Sequence, residues 1–415
     1  MAFHIIDEAK RCCACKSPKC VEGCPIRTPI PEMIKLLLSG QIDKAGEQLF
    51  NNNPLSFVCS FVCNHEKQCE GNCILSKSGK SIHVSSIENY ISDYYFNLPI
   101  KKTSKNKKAK IAIIGSGPAG LTISMLLSQR GYDITLFDAR EQIGGVLRYG
   151  IPEFRLPKAA LDRYKDKLIS MGIKIRPNTN IGYGGLVIDD LFRDGYKAIF
   201  IGTGVWKPNS LGIKGESLGH VHFAINYLKN PDVYNLGQNV IIIGAGNAAM
   251  DVARTVIRKG SRNVTVFFLM GEEQLTASRT EIEYAKIEGV RFEFFKKPIE
   301  INDGGVIFAN TRLIENDDGV IGYEEILSTE HFYKSDSVIV SISQGPRSYI
   351  VSTTRGIDID DKGLLVTDEN GKTTREGVFA SGDVVSGART VVEAVMYSKM
   401  VADMMEQYVE SIIKD

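Results

Sequence analysis

The 415 residues are enough for two or three domains, each with its own buried core. Fifty Lys plus Arg against 49 Asp plus Glu leave a net charge of +1, which argues against a dedicated binder of nucleic acid or another polyanion. A hydrophobic content of 43% fits a globular protein, the 39 glycines lean toward an α/β fold, and no run of about 18 apolar residues exists to span a membrane. All nine cysteines lie between Cys12 and Cys73, and the opening Met1-Ala2-Phe3-His4-Ile5-Ile6-Asp7-Glu8 has no charged segment followed by an apolar core. That pattern argues against a secreted disulfide scaffold and for a cytoplasmic chain whose N-terminal segment binds metal.

In chain order, the first hundred residues read as helical. Ile30 to Leu38 carries apolar residues at helical spacing, with Pro31 suited to a first turn and Gly40 to a stop. The basic stretch Lys101 to Lys108 reads as a solvated linker and sets a domain boundary near residue 105. Two strand–glycine–helix units follow. Lys110 to Ile114 runs into Gly115-Ser116-Gly117-Pro118-Ala119-Gly120, and Asn239 to Ile243 runs into Gly244-Ala245-Gly246-Asn247-Ala248-Ala249. Each continues to a helix and a second apolar strand, so one βαβ unit is repeated about 130 residues on. Further strands ending in glycine turns, at Ile199 to Gly204, Val338 to Gly345 and Val378 to Asp383, would carry the chain out of the first domain and back into it. The second nucleotide unit is therefore expected as an insertion in the first domain.

A glycine turn between strand and helix lets a pyrophosphate approach the backbone, where exposed N–H groups and the helix dipole favour its charge. At the first site Asp138 lies 23 residues after Gly115, where a carboxylate can accept from a ribose diol. At the second, Ala249 replaces a third glycine, and the next strand ends in Phe267-Phe268-Leu269-Met270-Gly271-Glu272-Glu273. A 2′-phosphate wants Arg or Lys there, and none appears before Arg279, so NADH is favoured over NADPH unless Arg258 or Arg262 folds over the site. Asp383 is a candidate partner for the ribityl chain or pyrophosphate of a flavin. The helix opening near Arg389, Thr390 and Val391 would face the flavin's pyrimidine edge.

These motifs, with the run Gly144-Gly145-Val146-Leu147-Arg148-Tyr149-Gly150-Ile151-Pro152-Glu153-Phe154-Arg155-Leu156-Pro157, resemble a known family. It comprises the small subunit of glutamate synthase, the electron-input half of dihydropyrimidine dehydrogenase and the latter's separate bacterial NADH-oxidising subunit. The resemblance covers nearly the whole chain. It implies two Rossmann-like nucleotide domains preceded by an α-helical iron–sulfur domain: residues 1–105, then FAD-binding parts at 106–236 and 335–415 around an NAD(P)H-binding domain at 237–334. FAD would sit against Gly115, Ser116, Gly117, Pro118, Ala119, Gly120, Asp138, Arg140, Gly145, Leu147, Arg155, Thr203, Gly204, Gly382, Asp383, Thr390 and Val391. The nicotinamide nucleotide would take Gly244, Gly246, Asn247, Ala248, Ala249 and Asp251. Family members commonly carry a Tyr-Arg-Arg type sequence for NADPH where this chain has Phe268-Leu269-Met270, which brings the NADH-dependent members closer.

The cysteines are spaced Cys12-x2-Cys15-x4-Cys20-x3-Cys24-Pro25 and Cys59-x3-Cys63-x5-Cys69-x3-Cys73, a density that suits structural zinc or iron–sulfur clusters. Beside a flavin, two 4Fe–4S clusters supply the one-electron acceptors that hydride oxidation calls for. The resemblance implies Cys12, Cys15, Cys20 and Cys73 at one cluster, and Cys24, Cys63 and Cys69 with Glu88 at the other, leaving Cys13 and Cys59 spare. No cysteine follows Cys73, which removes a thioredoxin-reductase-like dithiol, and the six histidines form no catalytic set. The expectation is an NADH-oxidising electron-input subunit without catalytic side chains of its own, serving a partner subunit that holds the substrate site. The alternatives are a glutamate synthase small subunit using NADPH, and a nucleotide-sensing scaffold with structural metal sites.

Overall fold

The computed structural model describes residues 4–99, 108–182, 184–315 and 319–414. They fall into two compact units: residues up to Arg148, Glu153–Val205 and Gly345 onward in one, Tyr149–Pro152 and Trp206–Gln344 in the other.

The first unit opens with helices α1 (Ile5–Lys10), α2 (Lys19–Glu22), α3 (Ile30–Leu38), α4 (Ile42–Asn52), α5 (Ser56–Val62) and α6 (Val84–Phe96). Pro31 stands in the first turn of α3 and Gly40 takes φ +75° just past its end, as the spacing predicts. Met33, Ile34 and Leu37 bury one face of α3 against Leu49 of α4 and Ile87 and Ile91 of α6. The chain then enters β1 (Lys110–Ile114), α7 (Pro118–Gln129), β2 (Asp133–Phe137), α8 (Val146–Tyr149), α9 (Lys158–Ser170), β3 (Lys174–Arg176), α10 (Ile188–Arg193) and β4 (Ala198–Ile201).

The second unit begins at β5 (Lys207–Pro208) and holds β6 (Val221–Phe223), α11 (Ala224–Lys229), β7 (Asn239–Ile243), α12 (Asn247–Arg258), β8 (Asn263–Phe267), α13 (Arg279–Ile287) and β9 (Arg291–Glu293). An antiparallel sheet of β10 (Lys296–Asn302), β11 (Gly305–Glu315), β12 (Ile321–Glu325) and β13 (His331–Lys334) follows, then β14 (Ser337–Val340). Its parallel sheet runs β6-β14-β7-β8-β9, with Phe267 and Phe308 stacked 4.1 Å apart in the core shared with the antiparallel sheet. The strand at Val338 thus belongs to the second sheet, hydrogen-bonded between β6 and β7, rather than returning the chain to the first. The chain leaves the first unit after Val205 and re-enters it at Gly345, outside the expected limits of 237 and 334, because β6 and β14 extend the second sheet beyond its βαβ core.

After β15 (Gln344–Gly345) come α14 (Tyr349–Thr353), β16 (Val378–Ala380), α15 (Asp383–Ser386) and the long α16 (Val391–Lys414). The first unit's sheet runs β16-β4-β1-β2-β3, all parallel, and its central strands are buried on both faces, which is why they read as unbroken apolar runs. Helix α16 packs along α7, tied by Arg130 to Asp403 at 2.6 Å and to Glu406 at 3.0 Å. Lys108, the last residue of the basic stretch, pairs with Glu406 and Glu410 at 3.3 and 3.2 Å instead of lying in a solvated linker. The rest of that stretch and the boundary near 105 lie outside the described residues. The helical layer joins the sheet layer through Arg163–Asp93 at 2.6 Å, Tyr164 Oη donating to the Pro54 carbonyl at 3.1 Å, and the Phe96 and Tyr164 rings 4.3 Å apart.

Candidate functional site

The first glycine loop is shaped by three different demands. Gly115 takes φ +98°, and a Cβ there would come 2.5 Å from the Gly202 carbonyl oxygen, so this turn sits directly against the end of β4. A Cβ on Gly120 would lie 1.8 Å from the Gly115 carbonyl oxygen, so that glycine lets α7 close onto β1. Gly117 is different. Its φ of −72° suits any residue and a Cβ would meet no atom within 4 Å, so nothing in the protein requires glycine there. A bare backbone facing open space at the start of α7, with Pro118 and Ala119 in its first turn, is a cradle for an anionic group.

Asp138, at the end of β2, is buried and turned onto this loop. Its Oδ2 accepts from the Ser116 N–H at 2.8 Å and from the Ser116 hydroxyl, and Oδ1 accepts from the Arg140 N–H at 2.8 Å. Three of the carboxylate's roughly four acceptor positions are filled, so one is left on Oδ1. Ser116 also takes the Gly144 N–H on its hydroxyl at 3.2 Å, latching the Gly144–Gly145 turn to the loop; a Cβ on Gly145 would press 2.7 Å from Gly117 Cα. Leu147 is fully buried behind that turn and Arg155 follows α8. Thr203 and Gly204, at φ +68°, follow β4, next to the Gly202 turn that Gly115 abuts. Gly382, at φ +77°, has its Cβ position 3.1 Å from Ala119 Cβ, bringing the β16 turn onto α7. The following Asp383 accepts from the Arg389 N–H at 3.2 Å, and burial pushes its carboxyl up to about 6. Thr390 and Glu393 cap α16 reciprocally: Thr390 donates from its N–H at 3.0 Å and its hydroxyl at 2.5 Å, and receives the Glu393 N–H at 3.4 Å.

The second loop repeats the first. Gly244 at φ +152° leaves no room for a Cβ, which would sit 2.2 Å from the Ser341 carbonyl oxygen, whereas Gly246 has ordinary backbone angles and only Thr276 Oγ1 within reach, at 3.6 Å. Ala249 and Asp251 are buried in the first turns of α12, Ala248 is exposed, and Asn247 accepts the Ser278 N–H at 2.9 Å. Arg258 is paired with Glu288, the residue that follows α13, at 3.0 and 2.8 Å, and the same carboxylate holds the neighbouring Arg254 at 2.9 Å.

The thiols sort into two sets. Cys12, Cys15 and Cys20 share an electrostatic neighbourhood with Cys73; burial and the nearby Cys73 and Cys12 push Cys20 up to about 11. These four, with exposed Cys13, line a small pocket partly open to solvent and walled by Ile30, Ile34, Ile82 and Val84. In the other set Cys63 and Cys69 are held above the usual thiol range. Cys63 is raised by a hydrogen bond with Cys59, then by burial and by Glu88; Cys69 is raised by burial, then by Glu88, Glu70 and Cys24. Glu88 is 7% exposed and no donor among the described residues reaches its carboxyl, which burial and Glu70 push up to about 8. A buried carboxyl beside two thiols and without a hydrogen bond fits a group that needs another ligand there. Among the described residues no group of three or more such side chains is placed to hold a single metal ion. Cys59, left spare by the resemblance, is buried one helical turn from Cys63, a proximity that the i, i+4 spacing makes legible.

Comparison with known proteins agrees with this architecture. Residues 2–99 match the family described as dihydropyrimidine dehydrogenase domain II, 4Fe-4S cluster, and residues 109–398 match pyridine nucleotide-disulphide oxidoreductase. The chain is 32% identical to the NADPH glutamate synthase small chain of Escherichia coli, over 97% of this chain and 91% of that one. It is 30% identical to the NAD-dependent dihydropyrimidine dehydrogenase subunit PreT of Salmonella typhimurium, over 98% and 94%. In fold it resembles FprA of Mycobacterium tuberculosis, solved with NADPH, at a TM-score of 0.65 and 15% identity over 74% of this chain and 86% of that one. The helical layer is thus a 4Fe–4S domain, and the nucleotide folds are those of an FAD- and NAD(P)H-dependent oxidoreductase. The chain belongs to the pyridine nucleotide-disulphide oxidoreductase family, in the group that, like the glutamate synthase small chain, carries a dihydropyrimidine dehydrogenase-type 4Fe–4S domain ahead of the reductase fold.

Proposed function

We propose that this chain is a cytoplasmic electron-input subunit that oxidises NADH and passes the electrons, through FAD and two 4Fe–4S clusters, to a catalytic partner subunit. The observation that carries the reading is that Cys12, Cys15, Cys20 and Cys73 line one pocket while Cys24, Cys63 and Cys69 lie outside it, all inside the same compact unit as the first dinucleotide loop. When bound, the flavin supplies hydride acceptance from nicotinamide and the clusters supply one-electron transfer. The protein's part is placement. Gly117 opens the backbone to the pyrophosphate, Ser116 and Asp138 hold that loop rigid, and the capped start of α16 offers N–H groups beside Asp383. Cys12, Cys15, Cys20 and Cys73 hold one cluster, and Cys24, Cys63, Cys69 and Glu88 the other. Gly244 to Ala249 seat the nicotinamide nucleotide. The partner subunit is supported by the company of small-chain relatives.

Iron and sulfide analysis after anaerobic purification tests this directly. About eight irons per chain are expected for two 4Fe–4S centres. Zinc in their place, with no cluster spectrum after reconstitution and no bleaching of bound flavin by NADH, sinks the reading and leaves the nucleotide-sensing scaffold.

A further inference from the structure

A chain of polar side chains runs from the sheet layer of the first unit to Cys24, and its first two donors point toward the thiol. Lys399, on α16, donates from Nζ to Asn52 Oδ1 at 2.7 Å. Asn52, the last residue of α4, donates from Nδ2 to Thr28 Oγ1 at 3.4 Å. Thr28 is buried, and its Oγ1 accepts from the protonated Cys24 Sγ at 3.4 Å. With Cys24 as a metal-bound thiolate the sulfur has no proton to give, so the Thr28 hydroxyl becomes the donor in that last contact. Ammonium to amide, amide to hydroxyl and hydroxyl to sulfur then form one directed series, in which each bond polarises the next.

Lys399 is half-buried, and burial lowers its pKa against the opposing pull of Asp403 and of Cys24 itself. It is held in place from the flavin side as well. Its neighbour Ser398 is buried and shares a hydrogen bond of 2.9 Å with Ser381, the residue before Gly382 and Asp383. At 1.5 Å per residue, the eight positions from Val391 to Lys399 make one rigid rod of about 12 Å.

We propose that Lys399, acting through Asn52 and Thr28, is a positioning residue that raises the reduction potential of the cluster held by Cys24 above that of the other cluster. The physical basis is elementary. Each one-electron reduction adds a negative charge to the cluster, and a fixed cation linked to its sulfur by aligned dipoles lowers the cost of that charge. The cluster held by Cys12, Cys15, Cys20 and Cys73 has no counterpart of this series among the hydrogen bonds of the described residues. The inference rests on the two-cluster reading above.

The test is a redox titration of the intact, FAD-loaded chain, followed by electron paramagnetic resonance so that each cluster is read separately. Lys399→Met is expected to shift the reduction equilibrium of one cluster about tenfold toward the oxidised form, which is about 59 mV for one electron, and to leave the other unmoved. Thr28→Val, which removes only the hydroxyl, is expected to shift the same cluster in the same direction by less, while Lys399→Arg keeps the wild-type value. If Lys399→Met does not fold, Thr28→Val decides alone. Unmoved potentials in cluster-loaded variants, or both clusters shifting equally, overturn the inference and assign Lys399 to docking the helical layer. A wild-type chain that takes up no cluster overturns the parent reading first, a result that iron analysis shows independently.

Discussion

Glu88 separates a structural from a functional role at the level of one side chain. Val84, Ile87, Glu88 and Ile91 share the buried face of α6, so the carboxyl occupies a place where helical periodicity calls for an apolar residue. A carboxyl buried there without a donor costs folding energy, and removing it relieves that cost. Glu88→Ala is therefore expected to leave the metal-free chain as stable as wild type or more so, while iron falls from about eight to about four per chain. A lower melting temperature with full iron content assigns Glu88 to the fold instead. Cys13, exposed, is expected to change neither quantity when replaced by Ser. The spacing of the two cysteine runs is local and readable in the chain, whereas the resemblance leaves Cys59 spare although it stands one helical turn from Cys63. The Lys399–Asn52 contact is not readable there: its partners stand 347 positions apart, and neither residue type marks itself out.

Among the elements, the turn from β1 into α7 shows two glycines with opposite reasons for being glycine. Gly120→Ala puts a Cβ 1.8 Å from a backbone oxygen, and is expected to destabilise the first unit by on the order of 1–3 kcal/mol in thermal or denaturant unfolding. A Cβ at Gly117 meets nothing in the protein, so Gly117→Ala is expected to preserve the melting transition of the flavin-free chain while weakening flavin retention on gel filtration. Equal loss of stability in both variants contradicts the cradle. The βαβ repeats could be read from the chain because each glycine loop lies between contiguous apolar segments. The allegiance of β14 could not, because a four-residue apolar strand fits the edge or middle of either parallel sheet equally well. Only its pairing with β6 and β7 decides, and those partners are distant in sequence.

For the molecule as a whole, the choice of nucleotide follows from where the basic side chains are already engaged. Arg254 and Arg258 are both held by Glu288, and β8 ends in apolar residues with Lys286 paired to Glu272 just beyond. A 2′-phosphate finds no cation from these groups without breaking an ion pair, so kcat/KM is expected to be at least tenfold higher for NADH than for NADPH, a difference of about 1.4 kcal/mol. A preference for NADPH sinks this reading and favours the alternative of a glutamate synthase small subunit. The confinement of every cysteine to the segment from Cys12 to Cys73 has a consequence for damage by air. Oxygen attacks thiolates and the clusters they hold, and nothing in the nucleotide-binding folds offers it a sulfur of that kind. Air-exposed protein that has shed its iron is therefore expected to keep more than about half its NADH-driven reduction of a small dye, which meets the flavin directly, while delivery to a protein acceptor stops. Dye reduction that declines in step with iron loss shows instead that the flavin site depends on the clusters. If the two rates part, the enzyme ages by losing its outlet while its inlet still runs, and oxidised preparations will look active to any assay that watches NADH alone.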